Sequence, residues 1–563
     1  MRNTRPFFLR VFLSFLSFFL LCLAVALLIM AKREFDEVNV NQILFHMQLL
    51  EDNIVTMPGD FIDVFYWHLR NSLLCAATLA FLRETGAGAN ADASLCEEQN
   101  RRGIVALCLV FAVLWFVVPG DFMDSIFAKV RALFLTALGI TVLRALGRLE
   151  GLFLRLQSFL RWVSGGWRLP ALWAGVLAYA LCYINFFTFF QEQAATSDFY
   201  TEGAYVDPRT VNVSGSGSKN LLIIYCESIE ETFGRKELMG EDLLEPLRPY
   251  IEEPDLRIEQ MPGADFTIGG IVSSQCGIPL KSVSILSGNL TGWALDRFLP
   301  GAVCLGDYLK ADGYHNVYFN GSSGVFSGLN KFFLSHGYDE FMGKEEWLDK
   351  GFVAPDRLNT WAVYDKDIVD FSIARLDQLM AEGRKFSFAI STMDTHEPGF
   401  LSEDCEKKGI VRDWPGYVKC SLSQVGRLLE HIRSKGWEKE FVILVMGDHQ
   451  ARMTKLGTAD LKGADARFVL CSLEGGHLRP MRSTITHFDL FPSILAALGF
   501  TVEGDRLGFG YNVFSREVIP PVGYRDELKK RVLAQSRLYE SLWLPEYATE
   551  HAAQDAEKTL AKP

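Results

Sequence analysis

Length, composition and charge place this chain among large folded proteins that are rich in apolar residues. It has 563 residues, of which 49% are hydrophobic and 22% are charged, and its formal net charge is −12. Such a chain is too apolar for intrinsic disorder and too long for a small disulfide-stapled scaffold. Lys and Arg balance Asp and Glu over residues 1–200, so the acidic excess lies after residue 200. Nucleic acid is therefore excluded as an expected partner, because proteins that bind it concentrate Lys and Arg.

Apolar runs near the N-terminus predict a transmembrane part with three to five spans. Residues 7–31 are nearly free of charge and long enough to cross a hydrocarbon core of about 30 Å. We expect a retained anchor there, because the run is too long for the apolar region of a cleaved signal peptide. Residues 104–118 and 170–190 are similarly apolar. Residues 61–82 and 126–146 carry charges, and they could instead be interfacial helices.

The positions of the arginines orient this membrane part. Arginines cluster at the start of the first apolar run and ahead of the last one, whereas the loop after the first run is acidic. The positive-inside rule then places the N-terminus in the cytoplasm. Three spans and five spans both carry the chain across, so we expect a multi-pass inner-membrane protein. Everything after residue 190 is then on the periplasmic side, where disulfides can form.

The cysteines of the second part permit disulfides. Cys405 and Cys420 flank a polar stretch that is typical of a loop, and closing a loop of about 15 residues adds about 3 kcal/mol in the chain-entropy model. This is the first pair that we expect, and Cys276 with Cys304 is the second. The chain contains no Cys-x-x-Cys pair, which argues against a zinc ribbon.

Short apolar runs alternate with helical patterns after residue 219, which predicts an α/β domain with a mainly parallel sheet flanked by helices. The runs that predict buried strands are residues 221–225, 317–319, 386–390 and 441–446, and the helical patterns are residues 368–380 and 423–432. Ligands bind beyond the carboxyl ends of the strands in such sheets. The residues directly after each run are therefore the first candidates for a functional site.

Composition also divides the chain into four parts. The Gly/Ser-rich stretch at residues 213–219 predicts a flexible joint, and residues 525–543 have the pattern of a charged amphipathic helix. The expected parts are a transmembrane domain over residues 1–195, a linker over 196–219, the α/β domain over 220–515, and a C-terminal helix and tail over 516–563.

Metal-binding side chains follow two of the predicted strands. Glu227 comes directly after the run LLIIYC, and Asp448 and His449 come directly after FVILVMG. Each alone is more often a helix cap or a loop charge, but together they suit Mn²⁺ or Mg²⁺, with Zn²⁺ as a further candidate. Between them, Thr267 precedes a glycine-containing turn and a helix-forming run. Its hydroxyl is either a helix N-cap or a reactive group at a helix N-terminus.

The order of these motifs resembles the alkaline phosphatase and sulfatase superfamily, and within it the membrane-anchored phosphoglycerol transferases. The resemblance is greatest to the phosphoglycerol transferase I group and weaker to lipoteichoic acid synthases. It implies that Glu227, Asp448 and His449 bind a metal, and that Thr267 is a nucleophile that also contacts this metal. It further implies that His396, in the motif Asp-Thr-His-Glu-Pro, is a catalytic and substrate-binding histidine.

Two segments of this chain differ from the corresponding motifs of related families, and His487 is a further residue to interpret. Lipoteichoic acid synthases carry a Trp and an Arg where this chain offers only Lys331 as a substrate-binding residue. The segment that begins at Cys276 reads CGIPLK and lacks the Pro position and the Arg of the C-x-P-x-R formylglycine motif, which argues against a sulfatase activity. His487 precedes an apolar helix, where a hydrogen-bonded structural role is favoured over a role in the site.

The resemblance implies an activity outside the cytoplasm. A phosphoglycerol group would pass from phosphatidylglycerol to a glycan or polyol acceptor through a covalent phosphothreonine at Thr267, with Mn²⁺ as cofactor. The acceptor could be a periplasmic glucan, a lipopolysaccharide sugar or a glycerol-phosphate chain. Two alternatives stay open at this point: phosphoethanolamine transfer to lipid A, and a non-catalytic membrane-tethered lipid sensor with the same fold.

Overall fold

The computed structural model describes most of the second part of the chain and less of the first. The described residues are 7–35, isolated positions between 69 and 162, 167–183, 186, 198–251, 256–281, 297–359, 362–451, 461, 466–474, 478–534 and 536–543. The N-terminal helices belong to one compact unit, and the residues from 198 onward belong to a second.

The first unit contains two described helices, α1 (Phe7–Phe35) and α2 (Arg168–Tyr183). The side chains of α1 are described for residues 12–28 only. Within the described residues, no helix is both long enough and apolar enough to cross a membrane. The predicted spans at residues 104–118 and 126–146 lie outside the described residues, and only isolated positions of the span at 61–82 are described.

The second unit is an α/β domain. Its strands are β1 (Val213–Ser214), β2 (Asn220–Cys226), β3 (Leu256–Ile258), β4 (His315–Asn320), β5 (Glu340–Met342), β6 (Phe386–Ser391), β7 (Phe441–Gly447), β8 (Val469–Glu474), β9 (Thr484–Ile485), β10 (Thr501–Val502), β11 (Arg506–Leu507) and β12 (Gly510–Tyr511). Its helices are α3 (Lys236–Met239), α4 (Thr267–Cys276), α5 (Leu305–Ala311), α6 (Leu329–Ser335), α7 (Lys344–Asp349), α8 (Asp365–Glu382), α9 (Glu403–Lys407), α10 (Trp414–Ser434), α11 (Leu490–Leu498), α12 (Tyr524–Arg531) and α13 (Arg537–Trp543).

Eight of the described strands form one central sheet in the order β5-β4-β6-β2-β7-β8-β3-β9. The strands from β5 to β7 run parallel, β8 is antiparallel to both of its neighbours, and β9 is parallel to β3. The mainly parallel sheet predicted from the sequence is therefore confirmed. The carboxyl ends of β6, β2 and β7 consequently meet at one edge.

The central strands are apolar throughout because both faces of the sheet are covered. In β2, Leu221, Ile223 and Tyr225 enter one hydrophobic core, and the alternate residues Leu222 and Ile224 enter the other. The first core also contains residues of α4 and α11, and the second contains residues of α8 and α10. A continuous apolar run is the pattern expected of a strand buried on both faces.

Two helices differ in extent from their sequence patterns. Helix α10 begins nine residues before the predicted start, because Asp413 caps its first turn by accepting the backbone N–H of Gly416 at 2.9 Å, and Pro415 suits that turn. The predicted C-terminal helix is divided into α12 and α13. The second of these follows Ser536, whose backbone carbonyl accepts the N–H of Glu540.

The Gly/Ser-rich stretch at residues 213–219 is bound to the domain in the structure. Strand β1 pairs with β10, and the backbone N–H of Gly217 donates to the carboxylate of Asp312 at 2.9 Å. Only a glycine fits at position 217, because an added Cβ would lie 2.0 Å from the hydroxyl of Tyr314. The stretch thus follows the surface of the domain into β2.

Candidate active site

The candidate metal ligands lie together at the carboxyl edge of the sheet. Strands β2 and β7 are parallel neighbours and end at the paired residues Cys226 and Gly447, so Glu227 and Asp448 follow in the same register. The donor atoms of Glu227, Asp448 and His449 all lie within 4.8 Å of one another, and all three side chains are buried. Nε2 of His449 lies 3.4 Å from Oε1 of Glu227 and 3.7 Å from Oδ2 of Asp448.

Thr267 joins this group as the first residue of α4. Its hydroxyl donates to Oε2 of Glu227 at 3.1 Å. The N-cap of α4 is Phe266, which rules out the sequence-based alternative that Thr267 is merely the cap. The close approach depends on Gly270, because an added Cβ there would lie 2.0 Å from the carbonyl oxygen of Asp448. The backbone of α4 and the end of β7 are therefore in direct contact.

The electrostatics of these three side chains are those of a cation site. Burial favours protonation of Glu227, but the charge of His449 outweighs it and holds the pKa of Glu227 far below its usual range. Burial together with the charge of Glu227 raises the pKa of Asp448 to about 7. Burial disfavours the imidazolium of His449, but the two carboxylates outweigh it and raise the pKa of His449 to about 9. Two carboxylates and one imidazole, converging in a buried space, fit a divalent metal ion such as Mn²⁺, Mg²⁺ or Zn²⁺.

Three hydroxyl residues that the sequence analysis missed hold Glu227 in place. Ser228 has a left-handed backbone with φ of 57°, donates its hydroxyl to Oε1 of Glu227 at 2.7 Å, and donates its N–H to Oδ1 of Asp448 at 2.8 Å. The backbone N–H of Glu227 donates to the hydroxyl of Thr392 at 3.0 Å, and its carbonyl accepts the hydroxyl of Thr395 at 2.7 Å. The signal that could have found the two threonines is their place directly after the run that forms β6.

Comparison with known proteins gives the family. The family model described as sulfatase matches residues 287–500, a range that includes Asp448 and His449. The chain contains a sulfatase-family domain. It is 33% identical over 339 residues to phosphoglycerol transferase I of Escherichia fergusonii, which is 58% of this chain and 42% of that protein. It is 36% identical over 241 residues to phosphoglycerol transferase I of Escherichia coli O6:K15:H31, which is 41% of this chain and 31% of that protein.

These similarities cover less than half of the length of either curated relative. Among solved structures, a protein of the alkaline phosphatase superfamily from Vibrio parahaemolyticus gives a TM-score of 0.43 at 18% identity, over 59% of this chain and 78% of that chain. The similarity to proteins named phosphoglycerol transferase I agrees with the resemblance found in the motifs.

His396 and Lys331 occupy different places in the sulfatase-family domain. His396 lies in the turn after β6, its N–H donates to the carbonyl of Met393 at 2.9 Å, and its charge helps to lower the pKa of Glu227. Lys331 is half-buried in α6, which connects β4 to β5, two and three strands away from β2. The structure thus brings His396 close to Glu227, and it places Lys331 on the connection between β4 and the edge strand β5.

His487 contacts the backbone beside the candidate ligands. Its Nε2 donates to the carbonyl oxygen of Asp448 at 2.9 Å, and its side chain is fully buried. Burial lowers the pKa of His487 to about 4, so the ring is neutral at physiological pH. The contact is the structural hydrogen bond that the sequence analysis favoured.

Two disulfides brace the α/β domain. Cys276, the last residue of α4, is bonded to Cys304, and Cys405 of α9 is bonded to Cys420 of α10. These are the same two pairs that the sequence analysis put first and second. The stretch between Cys405 and Cys420, expected as a loop, is partly helical in the structure because α9 and the start of α10 lie in it. Cys276 is also unavailable as a formylglycine precursor, since its sulfur is in a disulfide.

Two buried carboxyl groups hold the turn that carries His396. Asp365 accepts the N–H groups of Met393 at 2.5 Å and Asp394 at 3.2 Å, and Asp394 accepts the N–H of Asp365 at 3.1 Å. Burial raises the pKa of Asp365 to about 6. Burial and the charge of Asp365 raise the pKa of Asp394 well above its usual range.

We expect Asp365 to make the metal-free protein less stable as the pH rises from about 4 to about 6. The folded state holds the Asp365 proton more tightly than the unfolded chain, so the stabilisation is complete below the unfolded pKa and is lost as the pH rises through the folded one. Urea unfolding measured across this range should give a flatter profile for Asp365→Asn than for the parent. The exposed Asp356→Asn is the matched control, with the same change of charge. Equal slopes for parent and Asp365→Asn would contradict this account.

Proposed function

We propose that this protein transfers a phosphoglycerol group from phosphatidylglycerol to a hydroxyl of a glycan or polyol outside the cytoplasm. The observation that carries the proposal is the contact of the Thr267 hydroxyl with Glu227, within the group that includes Asp448 and His449. A hydroxyl among metal ligands at a helix N-terminus is suited to attack a phosphodiester. The similarity to proteins named phosphoglycerol transferase I supports the choice of group and donor.

The proposed reaction has two steps that share one covalent intermediate. In the first, the Thr267 hydroxyl loses its proton to solvent, Oγ1 forms a bond to phosphorus, the phosphorus–oxygen bond to diacylglycerol breaks, and the departing oxygen takes a proton from His396. In the second, the acceptor hydroxyl gives its proton to His396 and its oxygen attacks phosphorus, the bond to Thr267 breaks, and the threonine oxygen takes a proton from solvent. The N–H groups of the first turn of α4 face the anionic group during both steps.

The chain's own residues would hold the cofactor and prepare the hydroxyl. Glu227, Thr267, Asp448 and His449 would ligate a divalent cation, Mn²⁺ in first place and Mg²⁺ or Zn²⁺ as alternatives. When bound, the cation would lower the pKa of the Thr267 hydroxyl and offset phosphate charge. The Thr267 hydroxyl donates its hydrogen bond to Glu227, so the lone pairs of Oγ1 point away from that carboxylate. Lys331 is a further candidate for contacting the headgroup or acceptor.

The proposed location rests on the charge pattern of the N-terminal part and on the disulfides. Cys276–Cys304 and Cys405–Cys420 are typical of an oxidising compartment. A multi-pass inner-membrane anchor over residues 1–195, joined through residues 196–219 to a periplasmic catalytic domain over 220–515, would place the domain beside its lipid donor. Residues 516–563 would complete this arrangement as the C-terminal helices and tail.

The test is a comparison of two lipid donors. We expect purified full-length protein loaded with Mn²⁺ to transfer label from the headgroup of phosphatidylglycerol, and not from that of phosphatidylethanolamine, to a mixture of periplasmic glycans. Label from phosphatidylethanolamine on lipid A would support the phosphoethanolamine alternative. Lipid binding without transfer from either donor would support the sensor. Comparing glycans from wild-type and deletion cells then identifies the acceptor as the glycan that loses phosphoglycerol.

A further inference from the structure

Glu230 and Arg467 form a buried ion pair that the proposed reaction leaves unused. Glu230 is fully buried, and its carboxylate accepts hydrogen bonds from Nε of Arg467 at 2.8 Å and from Nη2 of the same side chain. Glu230 lies three residues after Glu227, and its backbone bridges to Val469 at the start of β8. The pair therefore joins the turn that carries one candidate ligand to the segment that enters β8.

The same pair holds the chain directly after His449. The N–H of Ala451 donates to Oε1 of Glu230 at 3.2 Å, and the carbonyl of Ala451 accepts Nη2 of Arg467 at 2.6 Å. The side-chain amide of Gln450 donates to the backbone carbonyl of Arg467 at 2.9 Å. The side chains of the ion pair thus hold Ala451 directly, and the backbone of Arg467 holds Gln450.

The fixed segment determines which ring nitrogen of His449 faces the other ligands. Nδ1 lies 2.8 Å from the carbonyl oxygen of Gln450, which accepts a hydrogen bond only from a protonated nitrogen. The backbone N–H of Gln450 is held in turn by Oε1 of Gln260 at 2.7 Å. Nε2 is then the nitrogen directed at Glu227. A histidine ligand is oriented in this way whenever its other ring nitrogen has a fixed partner.

We propose that Glu230 and Arg467 are positioning residues for His449. By bonding the N–H and the carbonyl of Ala451, they hold the peptide group whose Gln450 carbonyl binds Nδ1–H, and so keep Nε2 directed at the metal position. This inference rests on the metal centre of the proposed function. A gain in stability is a poor explanation for the pair, because the cost of removing two charges from water often cancels their attraction.

The first test is the double variant Glu230→Met with Arg467→Met, which removes both charges together and leaves no unpaired buried charge. Calorimetric titration of the purified full chain with Mn²⁺ should show binding about 10- to 100-fold weaker than in the parent, since loss of an outer hydrogen-bond partner has effects of that size. The matched control is the double variant Glu340→Met with Arg375→Met. This ion pair lies at the start of the edge strand β5, whereas the candidate ligands follow the ends of β2 and β7. The control variant should leave Mn²⁺ binding unchanged. Affinity within about twofold of the parent in the Glu230/Arg467 double variant would overturn the proposal.

A second variant decides the matter if the double variant does not fold. Arg467→Lys keeps the charge, but a single ammonium group cannot bond Glu230 and the Ala451 carbonyl in the forked geometry of a guanidinium. We expect weaker Mn²⁺ binding, and we expect the ¹⁵N signals of His449 in the metal-free protein to show a weakened Nδ1–H hydrogen bond. A Mn²⁺ affinity and His449 ¹⁵N signals equal to those of the parent would reject the positioning role. If the parent itself binds no metal, the proposed function fails, and the nitrogen signals alone then decide the positioning role.

Discussion

Replacing Thr267 by Ala should abolish the proposed group transfer while the fold is retained. The variant lacks the hydroxyl that would form the proposed covalent intermediate, and loss of a nucleophile typically lowers turnover by about 10⁴-fold or more. The structural cost is small, because Ala is a good helix former at the start of α4 and the hydroxyl's bond to Glu227 is a single contact. Headgroup transfer measures the loss, and thermal unfolding checks the fold. Mass spectrometry of the parent after a brief reaction should find the adduct on the peptide that contains Thr267.

The matched control lies in the same helix. Ser273 is fully buried in α4, and within the described residues its hydroxyl has no hydrogen-bond partner. Ser273→Ala therefore also removes one hydroxyl from the helix, but it should keep parental transfer and stability. Transfer retained by Thr267→Ala, or an adduct found on another residue, would reject Thr267 as the nucleophile.

Replacing Gly270 by Ala should disturb the candidate metal ligands and the proposed nucleophile together. The added Cβ would lie 2.0 Å from the carbonyl oxygen of Asp448, which cannot easily move because His487 also binds it. Helix α4 must then shift away from the end of β7, which separates Thr267 from Asp448. Misplacement of about 1 Å can cost about 100-fold in rate, and we expect a loss of at least that size in transfer, with weaker Mn²⁺ binding.

A second glycine provides the control for this substitution. Gly175 is also helical, and an added Cβ would meet nothing within 4 Å, so Gly175→Ala should leave transfer and Mn²⁺ binding unchanged. Thermal unfolding of Gly270→Ala separates a local shift from a loss of the fold. A folded Gly270→Ala protein with parental rate and affinity would show that the contact between α4 and Asp448 does not matter for the site.

The parts of the fold that follow from local sequence could be predicted. The continuous apolar runs of β2, β4, β6 and β7 identify strands covered on both faces, and Glu227 and Asp448 are found because they directly follow two of these runs. The short strands β3 and β9 were not predicted, because their three and two residues give too little pattern. The antiparallel placement of β8 could not be predicted either, because it depends on partners distant in sequence.

The residues that support the site could not be predicted for a related reason. Thr395 reaches Glu227 across 168 positions, and Arg467 reaches Glu230 across 237. Polar residues in loops have no periodicity that indicates a distant partner, and their roles depend on strand order and register. Ser228 has a left-handed backbone, although it is not a glycine. Nothing in its residue type indicates this conformation.

The register between β2 and β7 has a consequence for how such proteins diversify. Seven consecutive residue pairs from Asn220–Phe441 to Cys226–Gly447 tie the two strands together, so the separation of the acidic groups at their ends is set by main-chain spacing. Side chains elsewhere in the hydrophobic layers can then change without altering that separation. The surrounding loops could then be exchanged while Glu227 and Asp448 keep the same spacing.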